Sequence, residues 1–231
     1  MTNNVQTIAM LRSAAWARGL SPGQLQRVEL ETQDRFYSAG EIVCHKSSFA
    51  THWIGVVEGM VKVDVLSADG RSTTLSGISD GGWLGEGSVL KSELRPYGVV
   101  ALRDSRIALM PSETFHYLLT NNLTFCHFMI DQLNARLGQF IALAESYRMH
   151  DISSRVASCL AELFNPQLNP RTNPVLQISQ EEIGRLAGIS RQIAHRALHE
   201  LEDAGLLHIR YGSIDVLDVD GLRLYAREHT E

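Results

Sequence analysis

The stretch Ile178–Leu207, ISQEEIGRLAGISRQIAHRALHELEDAGLL, decides how the whole chain is read. Ser179 and Glu182 have the spacing of a capping box, so a helix starts there and turns Ile183, Leu186 and Ala187 inward. Gly188 stops it, because glycine enters a left-handed turn at least cost, and Ile189 supplies an apolar plug for the corner. Ser190 caps a second helix whose inward face is Ile193, Ala194, Ala197, Leu198 and Leu201. Its outward face is left with Arg191, Gln192, His195, Arg196 and His199. Two helices joined by a short glycine turn, the second polar and basic on its free face, form a helix-turn-helix that places the second helix in a DNA major groove. A bundle built only for packing has no use for that exposed row. Leu206–Leu217 follows as two strand-like runs around Tyr211-Gly212-Ser213, a hairpin wing able to rest on the DNA backbone.

These residue types suit base reading. Arg191 or Arg196 can give paired hydrogen bonds to guanine O6 and N7, and Gln192 can pair with adenine N6 and N7. Ser179 and Ser190, at two helix N-termini, are placed to donate to phosphates and hold the register.

Upstream, Asn165–Pro174 is rich in proline and asparagine and reads as a loop, while Ile152, Val156, Cys159, Leu160 and Leu163 form one helical face. Before them, Leu123, Cys126, Ile130, Leu133, Leu137, Phe140, Ala144 and Tyr147 recur at alternating spacings of three and four. That is a coiled-coil stripe, and it predicts a homodimer joined through Ile130, Leu133, Leu137, Phe140, Ala144 and Tyr147. Phe125, Phe128 and Met129 lie on the other face of this helix and can pack on whatever precedes it.

From Phe36 to about Met110 the period changes to two, with runs such as Met60-Val61-Lys62-Val63-Asp64-Val65. Gly40, Gly59, Ser67-Ala68-Asp69-Gly70, Asp80-Gly81-Gly82 and Gly85-Glu86-Gly87 punctuate them, as in an antiparallel sandwich or barrel. Residues 1–34 carry short helices, with Ser21-Pro22 as a start signal. The fold class is therefore α+β: an antiparallel β jelly roll with N-terminal helices over residues 1–120, a long dimerisation helix over 121–149, and a winged helix-turn-helix over 150–231.

Composition sets the outer bounds. The chain has 231 residues, 44% of them apolar, which is enough to close a core without staples. Cys44, Cys126 and Cys159 are irregularly spaced and form no disulfide framework. No apolar run reaches a membrane span and Met1–Ser13 lacks a secretory signal, so a cytoplasmic protein with no membrane partner is expected. Net charge is −5, and residues 150–231 alone carry 8 arginines and no lysine against 12 acids. A low total restrains nonspecific phosphate binding and leaves a larger share of affinity to base contacts and the dimer.

At this point the chain resembles the Crp/Fnr-type transcription regulators over nearly all of its length. Ile183–Arg196 follows the family helix-turn-helix, and Tyr37-Ser38-Ala39-Gly40-Glu41, Val56-Val57-Glu58-Gly59 and Gly82-Trp83-Leu84-Gly85-Glu86 resemble the glycine punctuation of its cyclic-nucleotide-binding β roll. The resemblance implies a homodimer on a palindromic operator in double-stranded DNA, an effector sensed in the roll, and RNA polymerase as a partner. Gly85 and Glu86 match the family pair that meets a ribose hydroxyl, and Arg95 the arginine that meets the cyclic phosphate. Pro96 replaces the accompanying serine, which removes a hydroxyl and a backbone donor. Phe140 and Ile141 stand where purine-reading hydroxyl residues belong, and Gln192 stands where a glutamate accepts from cytosine. These departures argue against specific cyclic AMP binding. They leave the small-molecule effector open, with an apolar wall at Phe140 and Ile141 beside Arg95.

Other classes fit less well. An iron–sulfur cluster needs about four thiolates and the N-terminal cysteine group is missing. Cys44, His45 and His52, or His195 with His199, are more simply chance neighbours and a DNA face than metal ligands. Phosphate-loop, nucleophile-elbow and dinucleotide motifs are absent, so an enzyme is not expected. The rival reading is a nucleotide-binding regulatory module without DNA-binding output, which gives no reason for a wing and a basic recognition helix.

Overall fold

The computed structural model describes residues 5–66, 72–147 and 151–228. The turn expected at 67–70 and the expected boundary at 149/150 lie outside those residues. The chain opens on α1 (Val5–Ser13), a 3-10 turn at Ala15–Gly19 and α2 (Pro22–Glu31). Ser21 starts α2 with a reciprocal cap: its hydroxyl accepts from the Gln24 N–H, and the Gln24 side chain accepts from the Ser21 N–H.

Next come β1 (Gln33–Tyr37), β2 (Ile42–Cys44), β3 (His52–Glu58), β4 (Met60–Leu66), β5 (Ser72–Ser79), β6 (Trp83–Leu84), the short helix α3 (Glu86–Lys91), β7 (Gly98–Ala101) and β8 (Ser105–Pro111). The strands pair antiparallel in two four-stranded sheets, ordered β1-β8-β3-β6 and β2-β7-β4-β5. Between the sheets pack Ile54, Val56, Val61, Val63, Ile78, Val99 and Ile107. Strand β3 is buried on both faces from Trp53 to Val57, because its outer face is roofed by helices. There Trp53 and Val57 join Trp16, Trp83, Phe115, Phe125 and Met129 in a second core. Helix α3 departs from the expected run of turns; at six residues it is too short to show a period.

After α4 (Ser112–Asn121), Asn122 accepts from the Phe125 N–H at 2.9 Å and starts α5 (Leu123–Ser146). Its 24 residues span about 36 Å at 1.5 Å each. Phe125 and Met129 seat one side on the roll, while Ile130, Leu133, Leu137, Phe140 and Tyr147 of the heptad stripe stand exposed, Leu137 at 59%.

The remaining elements are α6 (Ile152–Glu162), β9 (Val175–Leu176), α7 (Gln180–Ala187), α8 (Arg191–Asp203), β10 (Leu207–Arg210), β11 (Ser213–Val216) and α9 (Val219–Glu228). Strand β9 closes the hairpin into a three-stranded sheet, a pairing that two residues could not announce in the sequence. Val156, Leu160, Ile183, Leu186, Leu198, Leu201, Ile214 and Leu222 fill this core. The unit rests on the roll: the Ser79 N–H donates to Asn169 Oδ1 at 3.0 Å, and Lys62 Nζ lies 3.5 Å from Glu182 of α7.

Candidate nucleic-acid interface

Helix α7 begins where Ser179 accepts from the Glu182 N–H at 3.1 Å. The capping box is only half made. The Glu182 carboxylate does not reach back to Ser179 but accepts from Arg185 Nη1 at 2.8 Å and faces Lys62, a cation that only the tertiary fold brings near. Gly188 ends the helix at φ +66, and Ile189 donates back to the Gly184 carbonyl at 2.8 Å. Ser190 starts α8 by accepting from the Ile193 N–H at 3.4 Å. Both serine hydroxyls serve as acceptors in these caps, so their protons stay available to a phosphate.

On α8, Ala194, Ala197, Leu198 and Leu201 are buried, while Arg191, Gln192, His195, Arg196 and His199 are exposed. Among the described residues Arg191, Gln192 and Arg196 have no side-chain hydrogen-bond or ion-pair partner, so their donors are unspent. His195 is held differently, with Nδ1 3.1 Å from Gln180 Oε1 and its ring edge-on to His199 at 4.5 Å. His199 and His208 flank Glu202 at 3.2 and 2.9 Å. The Glu202 carboxyl lies below its ordinary range, chiefly because it accepts from the Ile209 N–H at 2.8 Å and also because of the two imidazoles.

The wing turns at Tyr211-Gly212, where Gly212 has φ +74 and Tyr211 projects fully into solvent. Arg210 is tied to Asp215 at 2.6 Å across the hairpin. Between wing and helices runs a cleft of about 390 Å³ lined by Ser179, Gln180, Arg191, Arg210, Tyr211 and Ser213. One cleft therefore gathers donors from two helix starts and the hairpin.

A second polar site lies in the roll. Gly85 has φ +87, and a Cβ there would collide with the Arg95 guanidinium. Arg95 is buried and donates from Nη2 to the His52 carbonyl, leaving Nη1 unpartnered. Glu86 is buried too; its Oε1 accepts from Arg136 Nε of α5 at 3.3 Å and its Oε2 is unpartnered. Arg136 also donates to the Trp83 carbonyl at 2.7 Å and to Gln139 Oε1 at 3.2 Å, and Ser76 of β5 donates to the same amide oxygen. Burial, with the Glu86 charge adding to it, pushes the nearby Tyr97 phenol up to about 12.

Family models match the two parts of the chain in which these residues lie. The family model described as the cyclic nucleotide-binding domain matches residues 34–122, and the Crp-like helix-turn-helix domain matches residues 154–225. The chain belongs to the Crp/Fnr family of transcription regulators. It is similar to the cyclic AMP receptor protein of Thermus thermophilus, at 25% identity over 86% of this chain and 90% of that one. It is also similar to the cAMP-activated global transcriptional regulator Vfr of Pseudomonas aeruginosa, at 25% identity over 76% of this chain and 85% of Vfr. Among solved structures, FixK2 of Bradyrhizobium japonicum shares the fold with a TM-score of 0.68 at 18% identity, covering 84% of this chain and 96% of that one.

In this Crp/Fnr-type chain, Gly85, Glu86 and Arg95 meet in one corner of the roll, but Phe140 and Ile141 stand exposed on α5. The polar α5 residues that face the roll, beside Phe125 and Met129, are Gln132, Arg136 and Gln139. Sequence reading passed over them, although polar residues on the Phe125/Met129 side of an otherwise apolar helix are a signal of a buried polar contact. Gln180 and Arg210 were also missed, since each joins the cleft only through chain reversal.

Proposed function

We propose that this chain is a homodimeric, sequence-specific regulator of transcription that binds a palindromic operator through α8. Arg191, Gln192, His195 and Arg196 read base edges, and Ser179 and Ser190 hold phosphates. The single observation that carries this reading is the row of exposed Arg191, Gln192 and Arg196, without side-chain partners among the described residues, on one helix of a winged helix-turn-helix. Residues 150–231 serve as the DNA-binding unit and residues 121–149 as the dimerisation helix, supported by the exposed apolar stripe on α5. Residues 1–120 sense an effector at Gly85, Glu86 and Arg95, with Arg136 and Gln139 of α5, rather than the exposed Phe140 and Ile141, beside it. The buried, unpartnered Glu86 Oε2 and Arg95 Nη1 support a polar ligand there. Cyclic AMP, named for two of the relatives, is not the effector we favour, because Pro96 offers neither a hydroxyl nor an N–H to a cyclic phosphate. The output is regulatory rather than enzymatic, with RNA polymerase as the partner, in the cytoplasm.

Selection of bound fragments from random duplex DNA tests the reading. The expected product is a palindrome with half-site centres about 34 Å apart, bound by two chains. Equal affinity for selected and random duplexes would overturn it in favour of a nucleotide-binding module without DNA output.

A further inference from the structure

A cleft of about 280 Å³ lies where the N-terminal helices, α5 and the 165–171 loop converge, far from α8 and separated from the roll corner by Trp83, whose carbonyl accepts from both Gln132 and Arg136. Its lining is mixed, and the apolar part comes from Met10, Trp16, Trp83, Phe128, Pro166 and Pro170. Two guanidiniums, Arg18 and Arg171, line it as well. Both are exposed, and among the described residues neither faces a carboxylate; Arg171 donates only to the Ser13 hydroxyl.

The wall also holds buried polar atoms with nothing to bond. Gln132 is 1% exposed and spends its Nε2 on the Trp83 carbonyl at 3.2 Å, while its Oε1 has no partner. The indole N–H groups of Trp16 and Trp83, 1% and 3% exposed, are unpartnered too. Trp16 packs edge-to-face on Trp83 at 5.3 Å, and of the three atoms Gln132 Oε1 is the acceptor. A buried acceptor left unmade carries a desolvation cost that a ligand donor removes. Unpaired arginines over an apolar floor add the complementary requirement for an anion on a flat apolar body.

We propose that this cleft binds a small aromatic carboxylate that also carries a hydrogen-bond donor, with Arg18 and Arg171 meeting the carboxylate and Gln132 Oε1 accepting from the donor. Met10 and Trp16 belong to the N-terminal helices, Phe128 and Gln132 to α5, and Pro166 to Arg171 to the loop that leads toward β9 and α7. Occupancy therefore ties that loop to the roll.

The probe is 6-hydroxy-2-naphthoate, titrated into the full chain by calorimetry beside 2-naphthoate, which lacks the donor, and 6-hydroxy-2-naphthamide, which lacks the charge. One probe per chain is expected, with binding about tenfold or more weaker for either analogue and for the Arg18→Ala/Arg171→Ala variant. Both arginines are exposed, so this variant keeps its core. Arg95→Ala, in the roll corner, should bind the probe as the unaltered chain does. Bound probe should also slow amide hydrogen exchange across residues 165–172. Absence of saturation by about 1 mM overturns the proposal. So does equal binding by the double-arginine variant, or loss of binding in Arg95→Ala, which would place the ligand in the roll instead.

Discussion

Glu86 and Arg136 form a buried ion pair between the roll and the long helix, 3.3 Å apart with their side chains 4% and 13% exposed. The pair fixes the rotation of α5 on the roll, because Arg136 can reach Glu86 and the Trp83 carbonyl together only from one helix face. That rotation leaves the heptad stripe outward. Replacing Arg136 with methionine strands a buried carboxylate and should cost about 3–5 kcal/mol. Urea unfolding measures it, and Glu86→Gln in the same background should recover part of the loss.

Arg196 stands free on α8, so its contribution should fall on sequence rather than on general affinity. Arg196→Ala is expected to lower affinity for the selected operator by about 1–3 kcal/mol while changing binding to random duplex much less. Fluorescence anisotropy on both duplexes at one salt concentration reads the difference. Equal losses would place Arg196 on the phosphates.

Gly188 sits at φ +66 with its Cα toward Tyr147 of the long helix, where an added Cβ would come within 2.9 Å of the Tyr147 ring. Gly188→Ala should therefore cost about 1 kcal/mol or more from the backbone alone, with the collision added. A drop in melting temperature is the expected result. Tyr147→Ala in the same chain should relieve the collision and leave only the backbone cost.

Tyr97 is half-buried against the roll core, with its phenol raised to about 12 from an ordinary 10. The folded state thus favours the neutral phenol. Its stabilising effect is fully present below pH 10, where the unfolded phenol is also neutral, and is lost as pH rises toward 12. Stability measured across that window should fall, and Tyr97→Phe, which cannot ionise, should flatten the fall.

The outward face of α8 was legible because its logic is local. Ser190 at a helix start, Gly188 at a helix stop and the inward series Ala194, Ala197, Leu198 and Leu201 each depend on neighbours within a few residues. The exposed stripe of α5 was legible for the same reason, since a repeat of three and four is a property of one helix. Glu182 shows where local logic stops. Its spacing from Ser179 specified a capping box, but Lys62, 120 positions away, competes for the carboxylate.

What the sequence determined by itself is most of the elements, though not α3 or β9, together with the antiparallel roll, the heptad stripe of α5 and the residues offered outward on α8. Periodicity and capping act over a few residues, and one chain carries all of that information. Only the tertiary structure decided that Arg136 and Gln139, rather than Phe140 and Ile141, turn to Glu86 and Ser76, and that Arg18, Gln132 and Arg171 share one cleft. Those meetings join segments that are distant along the chain. Burial then gives them their weight, because an unpaired charge or acceptor is costly only once water has been excluded from it.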